Sequence, residues 1–379
     1  MIKYASQNIT QEDIKSVSSA LKRDLITQGN LNYKFETRIN KLVRSKYCLT
    51  TNSASSALLL ACKALGLKKG DNGWTTTNTF AATANSILLC GANLDFVEIN
   101  EKTFNICADK LEKKLKKTKK NKLPKVLILV HYGGNPCDLK QIYKLSKKYN
   151  FKIIEDASHA IGSKYNGNPI GNCKYSHITV FSFHAIKIIT TCEGGAITTN
   201  NPLYYKTIKL MRTNGISREN KKNNNKDWFY EQKILGYNFR MNEIQAALGL
   251  SQIKKINIWI KKRNNIAEYY KKSFSLLPLK FQSIDKKSIS AYHLFTLVIK
   301  KKNLRDKLIN YLKKKNIFAN VVYIPLYRHP IHKKNFNFKK FKNSEDFYKN
   351  CISIPMHINI SKKNLEYVVK SIKNFFSKN

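Results

Sequence analysis

The sequence predicts an α/β fold, a mostly parallel mixed sheet covered by helices, followed by a smaller α+β unit. Two stretches and one change of pattern carry that expectation. KVLILV and FKIIED are short apolar runs of the kind shown by strands buried on both faces, with Asp138 capping a helical pattern (apolar at 139, 142, 143 and 145) between them. Strand, helix, strand at this spacing is a right-handed crossover. From about residue 251 a Lys-rich helix leads away, and strand-like AYHLFTLVI, a helix at 303–315, a strand in IFANVVYIP and a final helix near 361–376 follow. The expected division is 1–250 for the large domain and 251–379 for the small one.

The remaining elements follow in order. Residues 10–23 make a helix with Thr10 as N-cap and Asp13 completing a capping box, and LITQGN turns at Gly29. In LTTNSASSALLLACKALGL an extended piece meets small hydroxylated residues and then an Ala/Leu helix. Those hydroxyls are either an ordinary Ser N-cap or, with the free amides of a helix start, an anion site. TTTNTFAATANSILLCGANLDFVEI reads as loop, helix (80–90) and a strand ending near Val97, with Phe80 as either a core ring or a platform for a flat ligand. A helix near 202–213, an exposed loop at KKNNNK (221–226) and a helix capped near Asn242 complete the large part. His329, His332 and His357 read as isolated histidines around a proline turn, so no metal site is expected.

Composition narrows the function. A chain of 379 residues with 42% hydrophobic residues has material for two cores and is not a disordered chain. Its net charge of +45, from 69 Lys+Arg against 24 Asp+Glu, would ordinarily suggest nucleic acid. The lysines are instead dispersed over the whole chain, with abundant Asn and Ile and only 15 Gly and 8 Pro, as A/T-rich coding produces. No aromatic–basic recognition motif accompanies them, so no specific nucleic-acid partner is expected. The eight cysteines show no CxxC pair and read as reduced, packed thiols. MIKYASQNIT has no apolar signal region and no run approaches the ~20 apolar residues of a membrane span, which points to a cytoplasmic protein without a membrane partner.

The chemistry concentrates in Lys152–Thr199. Asp156 ends an apolar run, His159 follows, and Ser182 and Lys187 follow a second apolar run; Lys187 is flanked by apolar residues in a chain whose lysines otherwise cluster. Ligands of such sheets bind beyond the carboxyl ends of strands, where Asp156 lies and where His131 takes the equivalent place after KVLILV. A lysine downstream of a strand-end aspartate suits pyridoxal 5'-phosphate, which needs an amine for a Schiff base and a carboxylate to keep its ring nitrogen protonated. Residues 53–56, Ser182 and Phe80 would supply a phosphate cup and a stacking ring.

The ordered stretches LITQGN, TNSASSALLLACKALGLKKGD, TNTFAATANSILLCGA, IIEDASHAIGSKYNG, FSFHAIKIITTCEGGAITTN, GYNFRMNEIQAALGLSQIKKI and VVYIPLY resemble the DegT/DnrJ/EryC1/StrS family of nucleotide-sugar aminotransferases over nearly the whole chain. The resemblance implies PLP-dependent aminotransferase fold type I, with pyridoxal 5'-phosphate as cofactor. It is strongest to members that aminate C4 of a UDP-linked 4-keto-6-deoxy-N-acetylhexosamine in pseudaminic acid biosynthesis, with L-glutamate as amino donor. It implies Lys187 as the Schiff-base lysine, Asp156 as partner of the ring nitrogen, and His159 beside the ring hydroxyl. Phe80 would stack on the cofactor, with Ala54, Ser55 and Ser182 at its phosphate. Asn238 would reach the phosphate of a neighbouring subunit, hence a homodimer with shared sites. Tyr4, Ile26, Thr27, Gln28, Gly29, Val322, Tyr323, Ile324 and Pro325 would line the sugar-nucleotide pocket. Gly73, Thr77, Asn214 and Val322 depart from the family's pattern, at the rim and sugar side; Lys187 itself argues against the dehydratase variant, which carries histidine there.

Overall fold

The computed structural model describes residues 1–218 and 227–378; the KKNNNK loop lies outside them. Seven strands form one sheet: β1 (Tyr47–Thr51), β2 (Asn72–Thr76), β3 (Asn93–Val97), β4 (Val126–Val130), β5 (Lys152–Asp156), β8 (Ile178–Ser182) and β9 (Gly195–Thr199). Two-residue strands β6 (Lys164–Tyr165) and β7 (Asn168–Pro169) make a small hairpin, and β10 (Ile216–Ser217) pairs with β11 (Glu231–Gln232). The sheet order is β1-β9-β8-β5-β4-β2-β3, with the five strands from β8 to β3 parallel, β9 antiparallel to β8, and β1 antiparallel to β9 and so aligned with the other five. The fold is the expected mixed, mostly parallel α/β sheet. β4 and β5 are apolar runs because both faces are covered: Phe35, Leu127, Leu129 and Ile153 pack on one side, and Leu58, Ile128, Ile154 and Val180 on the other.

A second sheet, β12 (Leu279–Phe281), β13 (Phe295–Ile299) and β14 (Cys351–Ile354), is antiparallel and packs against helices Arg305–Lys314 and Lys362–Phe376. The helix Ile256–Ser273 joins the two cores: Ile256, Trp259 and Ile260 belong to the first, Ile266 and Tyr270 to the second. Ile2 also sits in the second core and bridges to Ile317, so the N-terminus returns to the C-terminal part.

Two element expectations need correction, and one helix, Asn30–Val43, stands where the sequence reading assigned no element. Residues read as a loop before Phe80 begin with strand β2, whose threonines are satisfied in place: Thr75 Oγ1 donates to the Ile128 carbonyl at 2.9 Å. IFANVVYIP is no strand. It makes single bridges at Ile317 and Asn320, while the Tyr132 hydroxyl donates to the Val322 carbonyl and the Tyr323 amide donates to Asn78 Oδ1 at 3.4 Å. Side chains take the backbone groups that a ladder would have used, and the valines serve burial. The helix Asn30–Val43 lacks a side-chain cap of its own residue; the Glu243 carboxylate takes the amides of Gly29, Leu31 and Asn32 instead. Burial alone would raise Glu243, but these donors hold it below the usual carboxylate range.

The Thr10–Asp13 capping box is present on helix Gln11–Leu21, Asp138 caps Leu139–Tyr149, and Asn242 with Gln245 forms a capping box on Glu243–Ile253. All eight cysteines are free, and all but Cys192 are buried.

Candidate active site

A cavity of about 370 Å³ opens beyond the carboxyl ends of the parallel strands. Val130 of β4, Asp156 of β5 and Ser182 of β8 reach it from neighbouring strand ends, and Thr79 and Phe80 reach it from the loop after β2. Parallel packing brings one residue per strand to the same end, which is why side chains far apart in sequence converge here.

Asp156 is buried and doubly held. Thr83 Oγ1, one turn into the helix Ala81–Leu88, donates to Oδ2 at 2.8 Å; the Ser158 amide and hydroxyl donate to Oδ1 at 3.1 and 2.6 Å. Lys187 lies on the turn between β8 and β9, where its amide donates to the His184 carbonyl at 2.9 Å. Among the described residues its ammonium group has no hydrogen-bond or ion-pair partner. Burial pushes the Lys187 amine down to about 8, against the opposing pull of Asp156. An amine in this range is partly neutral near physiological pH, the state that attacks a carbonyl.

His159 is buried between Gly133, whose amide donates to its Nδ1 at 3.3 Å, and Tyr323, whose hydroxyl lies 3.1 Å from its Nε2. Burial, then the nearby Lys187 charge, holds His159 well below the ordinary imidazole range, so it is neutral. The ring of His293 lies 4.4 Å from it and also lines the cavity.

The opposite wall is a helix start. Ser53 caps Ala54–Ala64 by accepting from the Ser56 amide at 3.1 Å, and Ser53, Ala54 and Ser55 line the cavity. The first amides of a helix have no intrahelical acceptor, and its dipole favours an anion. Strand β9 runs so close beneath that a Cβ on Gly195 would come within 2.7 Å of the Ala54 amide nitrogen. The EGGA sequence thus leaves the helix start open to the cavity.

Of the residues singled out by sequence, Tyr4, Ala54, Ser55, Phe80, Asp156, His159, Ser182, Lys187, Val322 and Tyr323 line this cavity. Ile26, Thr27, Gln28, Gly29, Asn238, Ile324 and Pro325 do not. Gly29 is tied to Glu243, and Asn238 is exposed and bridges to Thr213. His131 is a correction. The β4–β5 register sets Val130, not His131, opposite Asp156. His131 is fully buried, with Nε2 2.8 Å from Glu155 and Nδ1 accepting the Cys137 amide. A shift of one residue turns a strand side chain to the other face.

The match to known proteins decides the family. The model of the DegT/DnrJ/EryC1/StrS aminotransferase family matches residues 7–373. The chain belongs to this family. Its cofactor is pyridoxal 5'-phosphate, and the chain is an aminotransferase. An uncharacterized protein of Methanocaldococcus jannaschii is 38% identical over 379 residues, covering 98% of this chain and 96% of the relative. The UDP-4-amino-4,6-dideoxy-N-acetyl-beta-L-altrosamine transaminase of Campylobacter jejuni is 35% identical over 384 residues, covering 100% of this chain and 98% of the relative. Among solved structures, Helicobacter pylori PseC, an aminotransferase of pseudaminic acid biosynthesis, superposes with a TM-score of 0.91 at 32% identity, covering 100% of both chains.

The cavity fits the family's cofactor on its own donors. Among the described residues it holds one unpartnered amine, one strand-end carboxylate and one open helix start, as an aldehyde, a ring nitrogen and a phosphate require. Thr83, Ser158 and His293 carry no signal in the linear sequence. Thr83 lies one helical turn beyond Phe80 on a small-residue helix, and His293 arrives from the loop before β13.

Proposed function

We propose that this chain transfers an amino group from L-glutamate to C4 of a UDP-linked 4-keto-6-deoxy-N-acetylhexosamine, as a cytoplasmic homodimer with shared sites. The observation that carries the reading is the lone Lys187 amine in the same cavity as the Asp156 carboxylate. The 35% identity to the C. jejuni transaminase supports the sugar.

When bound, the cofactor acts as the electron sink that lets an amino group pass from one carbon to another. The protein's part is positioning and proton handling. Lys187 would supply the amine that holds the cofactor and would carry the proton at the reacting carbon. Asp156, fixed by Thr83 and Ser158, would hold the ring nitrogen and keep it protonated. Phe80, a cavity-lining residue and 59% exposed in the single chain, would cover the ring face. Ala54, Ser55 and Ser182 would hold the phosphate. His159 would sit beside the ring hydroxyl. Tyr4, Val322 and Tyr323 line the sugar side.

Asn238 and Ile26–Gly29 stand outside the cavity, with Leu25, Ile26, Trp228, Tyr230 and Leu235 exposed. Exposed apolar side chains such as Leu25, Ile26 and Leu235 support an interface there, and a second copy packed on it would bring Asn238 to the partner's phosphate. Ile324 and Pro325 would then frame the nucleotide entrance. Mass spectrometry of products from a panel of UDP- and dTDP-4-keto sugars tests the substrate. Turnover of the UDP-linked N-acetyl sugar supports the reading, and preference for a dTDP sugar rejects it.

A further inference from the structure

The hydrogen bonds around His159 have a fixed polarity. The Gly133 amide can only donate, so His159 Nδ1, 3.3 Å away, carries no proton. In the neutral ring the proton is then on Nε2, and at 3.1 Å it donates to the Tyr323 oxygen. The reverse polarity, with the tyrosine donating to Nε2, would put a proton on Nδ1 against the Gly133 amide. The Tyr323 hydroxyl proton therefore points away from His159, and no other described residue accepts it. Tyr323 lines the cavity with Lys187 and Asp156.

Burial, with Asp156 and Tyr4 adding to it, raises the Tyr323 phenol above its ordinary range, so the proton stays on. The neighbouring Tyr132 hydroxyl does not compete for the role, because it is spent on the Val322 carbonyl. The His293 ring lies tilted against His159 at 4.4 Å.

We propose that Tyr323 is an obligate hydrogen-bond donor to an oxygen acceptor of the bound reactants, with His159 acting as the positioning residue that fixes this polarity. The acceptor is an electron-rich oxygen beside the Lys187 amine. Two sources share that chemistry: the ring oxygen of the cofactor and the carbonyl oxygen of the keto sugar. The inference rests on the aminotransferase reading above and adds which group donates and in which direction.

The test uses the full-length protein loaded with pyridoxal 5'-phosphate and the conservative variant Tyr323→Phe, whose folding is checked by thermal melting. Absorbance of the bound cofactor is followed against pH, and the glutamate and keto-sugar half-reactions are timed separately. A moved spectroscopic midpoint in Tyr323→Phe assigns the donation to the ring oxygen. An unmoved midpoint, with the keto-sugar half-reaction alone slowed about tenfold to a hundredfold, assigns it to the sugar oxygen; that is the range for one hydrogen bond to a charged or charge-developing group. His159→Gln, whose amide can still donate to the tyrosine oxygen, should retain more of the affected property than His159→Phe. If spectrum and both half-reactions of Tyr323→Phe stay within about twofold of wild type, below the effect of a typical net hydrogen bond, the proposal is overturned. Failure of the wild-type protein to take up the cofactor at all would remove the underlying reading, and is visible before any variant is made.

Discussion

Two clefts of this molecule, each lined by lysine, are built in opposite ways. The larger, about 1200 Å³, lies beside β3 at the sheet edge and is lined by Lys110, Lys113, Lys114, Lys117, Lys122 and Lys340. Its innermost lysine is fully engaged. Lys114 Nζ donates to the Phe96 carbonyl at 2.6 Å, pairs with Asp95 at 2.6 Å and lies 4.5 Å over the Trp74 ring. A lysine on the outermost strand's free carbonyl blocks pairing with another chain. The smaller cleft, about 370 Å³, has a single lysine among the described residues, and among them it has no hydrogen-bond or ion-pair partner. Burial lowers the amine of both Lys114 and Lys187, but only Lys187 is left free to react. Cavity size and positive charge therefore do not mark the reactive site here; an unspent buried amine beside a held carboxylate does.

The largest effect is expected at Lys187. Lys187→Ala should lower transamination by about 10⁴-fold or more, the scale of losing a covalent and proton-transfer group together. Asp156→Asn comes next. It keeps the Thr83 and Ser158 contacts in outline but removes the charge at the ring nitrogen, and turnover should fall on the order of 10²–10³-fold, as for loss of one preorganised electrostatic contact.

A pH profile sharpens the contrast between the two lysines. An amine with a pKa near 8 gains its neutral form as pH rises to about 8 and changes little above it. The rate of cofactor uptake by the stripped protein should rise tenfold per unit below that point and level off beyond it. A rate still climbing at pH 10 would mean an ordinary lysine. The smallest effect belongs to the larger cleft. Lys113→Gln with Lys117→Gln should leave activity unchanged and alter stability by within about 0.5 kcal/mol per site, as exposed substitutions do.

The sequence is most legible where local rules suffice. Buried parallel strands read directly as KVLILV and FKIIED, and the caps at Thr10, Asp138 and Asn242 announce their helices. Legibility fails where tertiary contacts replace local ones. β2 reads as a loop because its polarity is satisfied across the sheet by Thr75. IFANVVYIP reads as a strand because its valines look β-forming, though Tyr132 and Asn78 take its backbone groups. The site divides in the same way. Asp156 and Lys187 stand out by apolar flanks, and Ser53–Ser56 by a helix start. Thr83, Ser158 and His293 are defined only by what they meet in space. His131 misleads because the β4–β5 register, invisible in one sequence, places Val130 at the cavity instead.

The central claim is that one amine, Lys187, holds the cofactor in a chain with 69 lysines and arginines. Borohydride reduction of the cofactor-loaded protein fixes the bond at whichever lysine formed it, and peptide mass mapping then locates the label. The account predicts one modified peptide, containing Lys187, and no stoichiometric label in Lys187→Ala. Label spread over the surface lysines, or concentrated at the β3 groove, would contradict it.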